Sequence, residues 1–186
     1  MQRQGPQEQS CPVGALSEVS HLMREAGHDP WDLLESFGIS EELMSKPMTP
    51  VPISLHGQIL QAAADATGRD DFGLLLGQRS TMNNAGPLRL LVYNARTARE
   101  AVAAIVRYHG LWYHGIKLDL TADRGFACMS VTLDSRFPGS DHVLTAYLAA
   151  LVKHLEAIFP RTWRPSQVHI SYRRPRMAEQ YARFFR

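Results

Sequence analysis

The apolar positions of this chain change period near its middle, from helical spacing to strict alternation. In residues 12–26, Leu16, Val19 and Met23 fall on one face of a first helix. Asp29 and Pro30 then form a start signal, an N-cap followed by proline at the first helical position. Trp31, Leu33, Leu34 and Phe37 make that second helix apolar before Gly38 ends it, and Ser40 caps a third short piece. Pro47, Pro50 and Pro52 impose an extended connection. Ser54 is expected to cap a longer helix to Thr67, with Leu55, Ile59, Leu60 and Ala63 inward and Gly68 at its end. Asp70 opens another, in which Phe72, Leu75 and Leu76 pack inward, and residues 77–86 read as a polar connection.

Residues 85–120 read as two short helices feeding a strand. Thr97 and Glu100 have capping-box spacing, Ala101, Val102, Ile105, Val106 and Tyr108 form one stripe, and Gly110 is the expected stop. From His114 the pattern alternates, with Ile116, Leu118 and Leu120 on one face. A loop over residues 122–125 turns the chain into a return strand, where Ala127, Met129, Val131 and Leu133 point one way. A long helix is expected over residues 141–159, with an apolar stripe wide enough to lie across a sheet or to be shared with a partner chain. Residues 168–172 read as a third strand and residues 177–186 as a final helix. The resulting class is α+β: an N-terminal helical region, then a small antiparallel β-sheet covered by a long helix.

Composition adds bounds rather than chemistry. With 186 residues, 45% of them hydrophobic, the chain can build one domain without staples. Residues 1–11 have the composition of a disordered arm, which leaves 12–186 as the folded domain. The balance of 20 basic against 18 acidic residues gives no global case for nucleic acid. Seven arginines between Arg161 and Arg186 face one acid, Glu179, a solvated surface or a docking surface for another domain or for phosphates. Cys11 and Cys128 lack partner spacing, so a reducing compartment is expected and no zinc pattern exists. No apolar run reaches the roughly 18 residues of a membrane span, and the polar N-terminus does not read as a signal peptide. The expectation is a cytoplasmic protein without a membrane partner.

No phosphate loop, nucleophile elbow or metalloprotease motif is present, and no nucleophile, base and orienting group can be assembled. The Asp70-Asp71 pair reads as a helix N-terminus rather than as acid–base carboxylates. His142, at a helix start, is expected to be exposed. The cluster Arg107-Tyr108-His109-Gly110-Leu111-Trp112-Tyr113-His114 offers a cation, hydrogen-bond donors and aromatic faces. Two readings of it stand: a pocket wall, or core and interface aromatics with polar tips. On the first, Tyr108, Trp112, His114 and, from the long helix, Tyr147 are the candidate ligand contacts.

Several segments taken in order carry a family resemblance. They are Asp29-Pro30 through Gly38-Ile39, Val51-Pro52, Asp71-Phe72-Gly73-Leu74 with Gly77, and Asn94-Ala95-Arg96-Thr97 with Ala101. Arg107-Tyr108, Trp163-Arg164-Pro165 with Val168, and Tyr181 with Phe184-Phe185 complete them. Together they resemble the N-terminal regulatory, arabinose-binding-like domain of AraC/XylS-type bacterial transcription regulators. Two places depart from the pattern: Gly86-Pro87-Leu88-Arg89 and Tyr172-Arg173-Arg174-Pro175. The resemblance implies a module that senses a small-molecule effector of unknown identity and forms a homodimer; the residues themselves give no enzyme, cofactor or metal, and the wide stripe makes the long helix the favoured dimer element. DNA would be met only through a C-terminal helix-turn-helix domain, expected to be missing from this chain; Arg173, Arg174 and Arg176, in the basic stretch that departs from the family pattern, are the candidate interdomain contacts. A constitutive dimerisation scaffold without effector is the alternative.

Overall fold

The computed structural model describes residues 9–172 and 175–186. The chain enters through a short strand, β1 (Ser10–Pro12), that pairs antiparallel with β2 (Pro50–Pro52) in the register Cys11 to Val51. Ser10 and Cys11 thus belong to a strand, although composition places them in the arm. The proline-rich segment explains this. Its prolines cannot donate, but the nearby carbonyls of Pro47 and Thr49 accept from Gly14 and Val13 at 2.9 and 2.8 Å. The first helix is correspondingly shorter than the apolar pattern predicts: a 3-10 turn (Val13–Leu16) precedes α1 (Ser17–Glu25).

Two of the capping signals hold where they were read. Asp29 accepts from the Trp31 amide at 2.9 Å at the start of α2 (Pro30–Ser36), and Ser40 from Leu43 at 3.2 Å at the start of α3 (Glu41–Met44). Others shift. The next helix, α4 (Ile53–Thr67), begins at Ile53 with no side-chain cap, its first amide donating instead to the Gln9 carbonyl at 2.9 Å. Asp71, not Asp70, stands at the N-cap of α5 (Phe72–Gln78), buried and gripped by both arms of Arg69 at 2.8 Å. After a 3-10 turn (Met82–Ala85) come α6 (Leu88–Tyr93) and α7 (Ala98–Tyr108). Thr97 caps α7, while the Glu100 carboxylate reaches one residue further back, to the Arg96 amide at 2.8 Å. The α7 helix ends at Tyr108, ahead of Gly110, and passes into a 3-10 turn (His109–Leu111).

The strands β3 (Ile116–Asp123) and β4 (Phe126–Leu133) form a hairpin closed by Arg124 and Gly125, both at positive φ, the twist a two-residue connection needs. The predicted third strand does not form. Val168 and Ile170 do pack inward alternately, but their backbone joins no ladder among the described residues. Side-chain alternation records burial, not pairing.

Helix α8 (Ser140–Ile158) is the mast of the fold. Val143 and Ala146 belong to the cluster built on α1, α4 and α5, and Leu151 and Leu155 to the cluster with Ile105 of α7 and Leu118 of β3. Ala149 and Val152 meet Leu74, together with Tyr181 and Phe185 of the last helix, α9 (Ala178–Phe185). The wide stripe of α8 is therefore covered within the same chain, and it supplies no argument for a dimer. His142, expected exposed, is half-buried, its Nδ1 accepting from the Gly73 amide at 3.4 Å.

The α5–α8 contact is made at backbone distance. A Cβ on Gly73 would sit 2.4 Å from the His142 carbonyl oxygen, and one on Gly77 2.4 Å from that of Ala146. Gly77→Ala should cost about 1–3 kcal/mol, since the crowding outweighs alanine's helix propensity. Gly110 faces open space, so Gly110→Ala should leave stability within about 0.5 kcal/mol. Urea unfolding of the two variants checks both expectations.

Candidate functional site

The packing of α4, α5, α7 and α8 leaves a cavity of about 110 Å³. The first turn of α4 contributes Ile53 and His56, the end of α5 contributes Leu76 and Gly77, and α8 presents Val143, Ala146, Tyr147 and Leu151. The turn after α7 closes the space with His109, Trp112 and Tyr113, and β1 adds Cys11. The hairpin contributes only its first residue, Ile116, so the cavity lies between helices more than between sheet and helix.

Aromatic rings make one wall. Tyr113 and Tyr147 meet edge to face at 5.5 Å and 80°, and His109 approaches Tyr147 at 6.4 Å and 68°. Burial pushes both phenols above the usual tyrosine range, for Tyr113 with a smaller push from Cys11. Both hydroxyls are therefore neutral at physiological pH. The His109 ring is tied down, with Nδ1 3.0 Å from the Val106 carbonyl and Nε2 3.2 Å from that of Ile116.

The polar feature that matters most is His56. It is 5% exposed, its Nδ1 lies 3.1 Å from Cys11 Sγ, and its Nε2 is the one buried side-chain polar atom without a hydrogen-bond partner among the described residues. Burial lowers its pKa to about 4 and raises that of Cys11 to about 12. At neutral pH the pair is thus an uncharged imidazole beside an uncharged thiol. A thiol so strongly protonated is a poor nucleophile. Among the described residues no group of His, Cys, Asp or Glu could hold a metal ion.

The four predicted contacts separate. Trp112 and Tyr147 line the cavity. Tyr108 lies outside it, in the cluster around α7 with Arg107 stacked over its ring at 5.4 Å. His114 also lies outside, its Nδ1 3.1 Å from Ser10 Oγ. Helical spacing put Tyr108 on the α7 stripe, but of that stripe Ile105 is the residue that reaches the hollow. Sequence reasoning missed His56, because a lone histidine on an apolar helix face carries no motif. Its nearest clue was the position one turn into α4, beside Leu55, Ile59 and Leu60. Of the three arginines, Arg176 is 92% exposed and 3.5 Å from Asp70, whereas Arg173 and Arg174 lie outside the described residues.

Residues 27–186 match the family described as the arabinose-binding domain of AraC transcription regulator, N-terminal. The chain belongs to that family. It is also similar to the HTH-type transcriptional regulator VirS of Mycobacterium tuberculosis, in strains CDC 1551 / Oshkosh and ATCC 25618 / H37Rv. Each match is 30% identical over 128 residues, 68% of this chain but 37% of the relative's length. The chain is accordingly a regulatory domain of a transcription-regulator family, which is not an enzyme family. No helix among the described residues is long and apolar enough to cross a membrane.

The buried imidazole sets a pH dependence. In the unfolded chain His56 takes up its proton near pH 6.5, in the folded chain only near 4. Between those values the unfolded state binds more protons, so stability falls on acidification, by roughly 3 kcal/mol once the pH is below 4. Burial lowers His142 and His154 in the same direction. Urea unfolding between pH 7 and 4.5 should show the decline, and His56→Leu should flatten it more than substitution of either other histidine.

Proposed function

We propose that this AraC-family domain senses a small effector bound in the cavity beside His56, and that occupancy biases how an attached DNA-binding domain is held. The observation that carries this reading is an unfilled, largely apolar space of about 110 Å³ with Trp112, Tyr113 and Tyr147 in its wall. Trp112 and Tyr147 are the proposed ring contacts, with Tyr108 and His114 bracing the wall from outside. Arg176, exposed beside Asp70, is the proposed interdomain contact, along with Arg173 and Arg174.

A second reading, a homodimerisation scaffold without effector, takes its support from α6. Leu90, Leu91 and Tyr93 are all exposed there, at 57%, 45% and 64%. The two readings separate in one preparation. Native mass spectrometry of the chain should retain a small molecule, and an effector at about 100 times its Kd should add about 2.7 kcal/mol of stability. For a domain of this size that is roughly 5–10 °C in Tm. Trp112→Leu should abolish the shift. A dimer with no bound molecule, no stabilising compound and dissociation on Leu91→Asp would favour the scaffold.

A further inference from the structure

We propose that the free edge of β4 is a pairing surface for a second copy of this chain, so that two hairpins join antiparallel, β4 against β4, into one four-stranded sheet. The inference goes beyond the effector and scaffold readings and depends on neither.

The hydrogen bonds of the hairpin determine which groups are free. The Asp134 amide donates to the Gly115 carbonyl at 3.0 Å, so residues 115 and 134 form a bonded pair. Bonded pairs alternate along an antiparallel ladder, and in this register Thr132, Ser130, Cys128 and Phe126 also turn their backbone groups toward β3. Ala127, Met129, Val131 and Leu133 turn theirs the other way, and among the described residues no further strand pairs with them.

The two edges of the hairpin are not alike. On β3, the outward carbonyl of Ile116 lies 3.2 Å from His109 Nε2, and the strand carries Lys117, Asp119 and Asp123. Covering groups and charges of this kind discourage pairing at a sheet edge. The eight residues of β4 include no charge and no proline, and none of them is buried. Phe126, at the end of the hairpin, is 76% exposed. A long uncharged edge is a template for another strand.

Charge at the ends of β4 selects the occupant. Arg124 precedes the strand and Asp134 follows it, so the incoming strand must carry the opposite order. A second β4 does, because a two-fold axis runs the two strands antiparallel. Setting Met129 opposite its own copy keeps outward groups facing outward groups, pairs Ala127 with Val131 and places Arg124 beside Asp134 at both ends. Arg124 is 91% exposed and lies 3.8 Å from Asp123, so it is available. Asp134, held by Lys117 at 2.6 Å, keeps about a third of its side chain exposed. In the same register the Phe126 ring faces Thr132 and Cys128 faces Ser130, an aromatic–β-branched pair beside a pair of small polar groups. Of the hairpin only Ile116 borders the cavity, so variants in β4 leave the effector space intact.

Light scattering and sedimentation of the whole chain should show a dimer. Ala127→Pro removes an outward amide and spares the hairpin's own ladder, and it should raise the dissociation constant of the dimer at least about tenfold. Ser130→Cys offers a thiol to Cys128 of the second copy, at the roughly 4.5 Å Cα spacing of a non-bonded pair, which a disulfide spans. Mild oxidation should therefore convert that variant to a covalent dimer much faster than the wild type. Should Ala127→Pro fail to fold, the crosslink still decides. A wild-type chain that stays monomeric on concentration would overturn the proposal. So would a dimer that survives Ala127→Pro but dissociates on Leu91→Asp, or Ser130→Cys crosslinking no faster than the wild type.

Discussion

The fold depends on a backbone-to-backbone approach between α5 and α8. Gly73 and Gly77 are four residues apart, so they share one face of α5, and they meet the carbonyls of His142 and Ala146, four apart on α8. Absence of a Cβ at both positions lets the two helices close to a distance no other residue pair would allow. A second approach fixes the start of α8: a Cβ on Gly139, which has a positive φ, would sit 1.9 Å from the Gly57 carbonyl oxygen of α4. Helix α8 is thereby held against α4 and α5 by shape alone, and its remaining circumference is free to carry α7, the hairpin and α9.

That geometry also explains why a hollow exists. Glycine and alanine dominate the lining where α5 faces α8, with Gly77, Ala146 and Ala150 all at the cavity. Small residues bring backbones together, but they leave unfilled volume beside the contact when larger side chains such as Tyr147 and Leu151 stand off it. An apolar core would fill such a gap or collapse on it. Here the gap is framed by two helices in close backbone contact, and a neutral histidine with one nitrogen unpaired borders it. Departure from the ordinary rule that buried polar atoms are paired is where function concentrates.

Short-range chemistry was legible in the sequence and long-range pairing was not. The caps at Asp29, Ser40 and Thr97, the tight hairpin at Gly125 and the extent of α8 each depend on residues within about one turn of one another. The β1–β2 pairing joins residues some forty apart through carbonyls of a proline-rich segment, and no local pattern announces it. The same limit produced the expected strand at residues 168–172, whose alternation is real but whose ladder is missing. The wide stripe of α8 read as a helix lying across a sheet or shared with a partner chain, and it is covered by several elements of its own chain, a choice no local pattern could make. Within the site, Trp112 and Tyr147 stood out because aromatic clusters are rare. His56 became meaningful only once the structure showed what its Nε2 lacks.

A ligand can bias a regulatory domain only through an element that both the cavity and the output touch, because population shift requires differential contact in two arrangements. In the proposed reading helix α8 is that element, with α9 as its route to the output. Val143, Ala146, Tyr147 and Leu151 border the cavity, while Ala149 and Val152, on another face of the same helix, carry Tyr181 and Phe185 of α9. The two faces lie along the same stretch of helix, so a rotation or shift of α8 against the glycine face of α5 would be felt on both. In the proposed reading the close α5–α8 packing is therefore more than a source of stability. A contact made of carbonyls and glycines has little side-chain interlock, and it can slide where an interdigitated leucine interface would resist. On this argument the residues that shape the response to effector are Gly73 and Gly77 as much as those that touch the ligand.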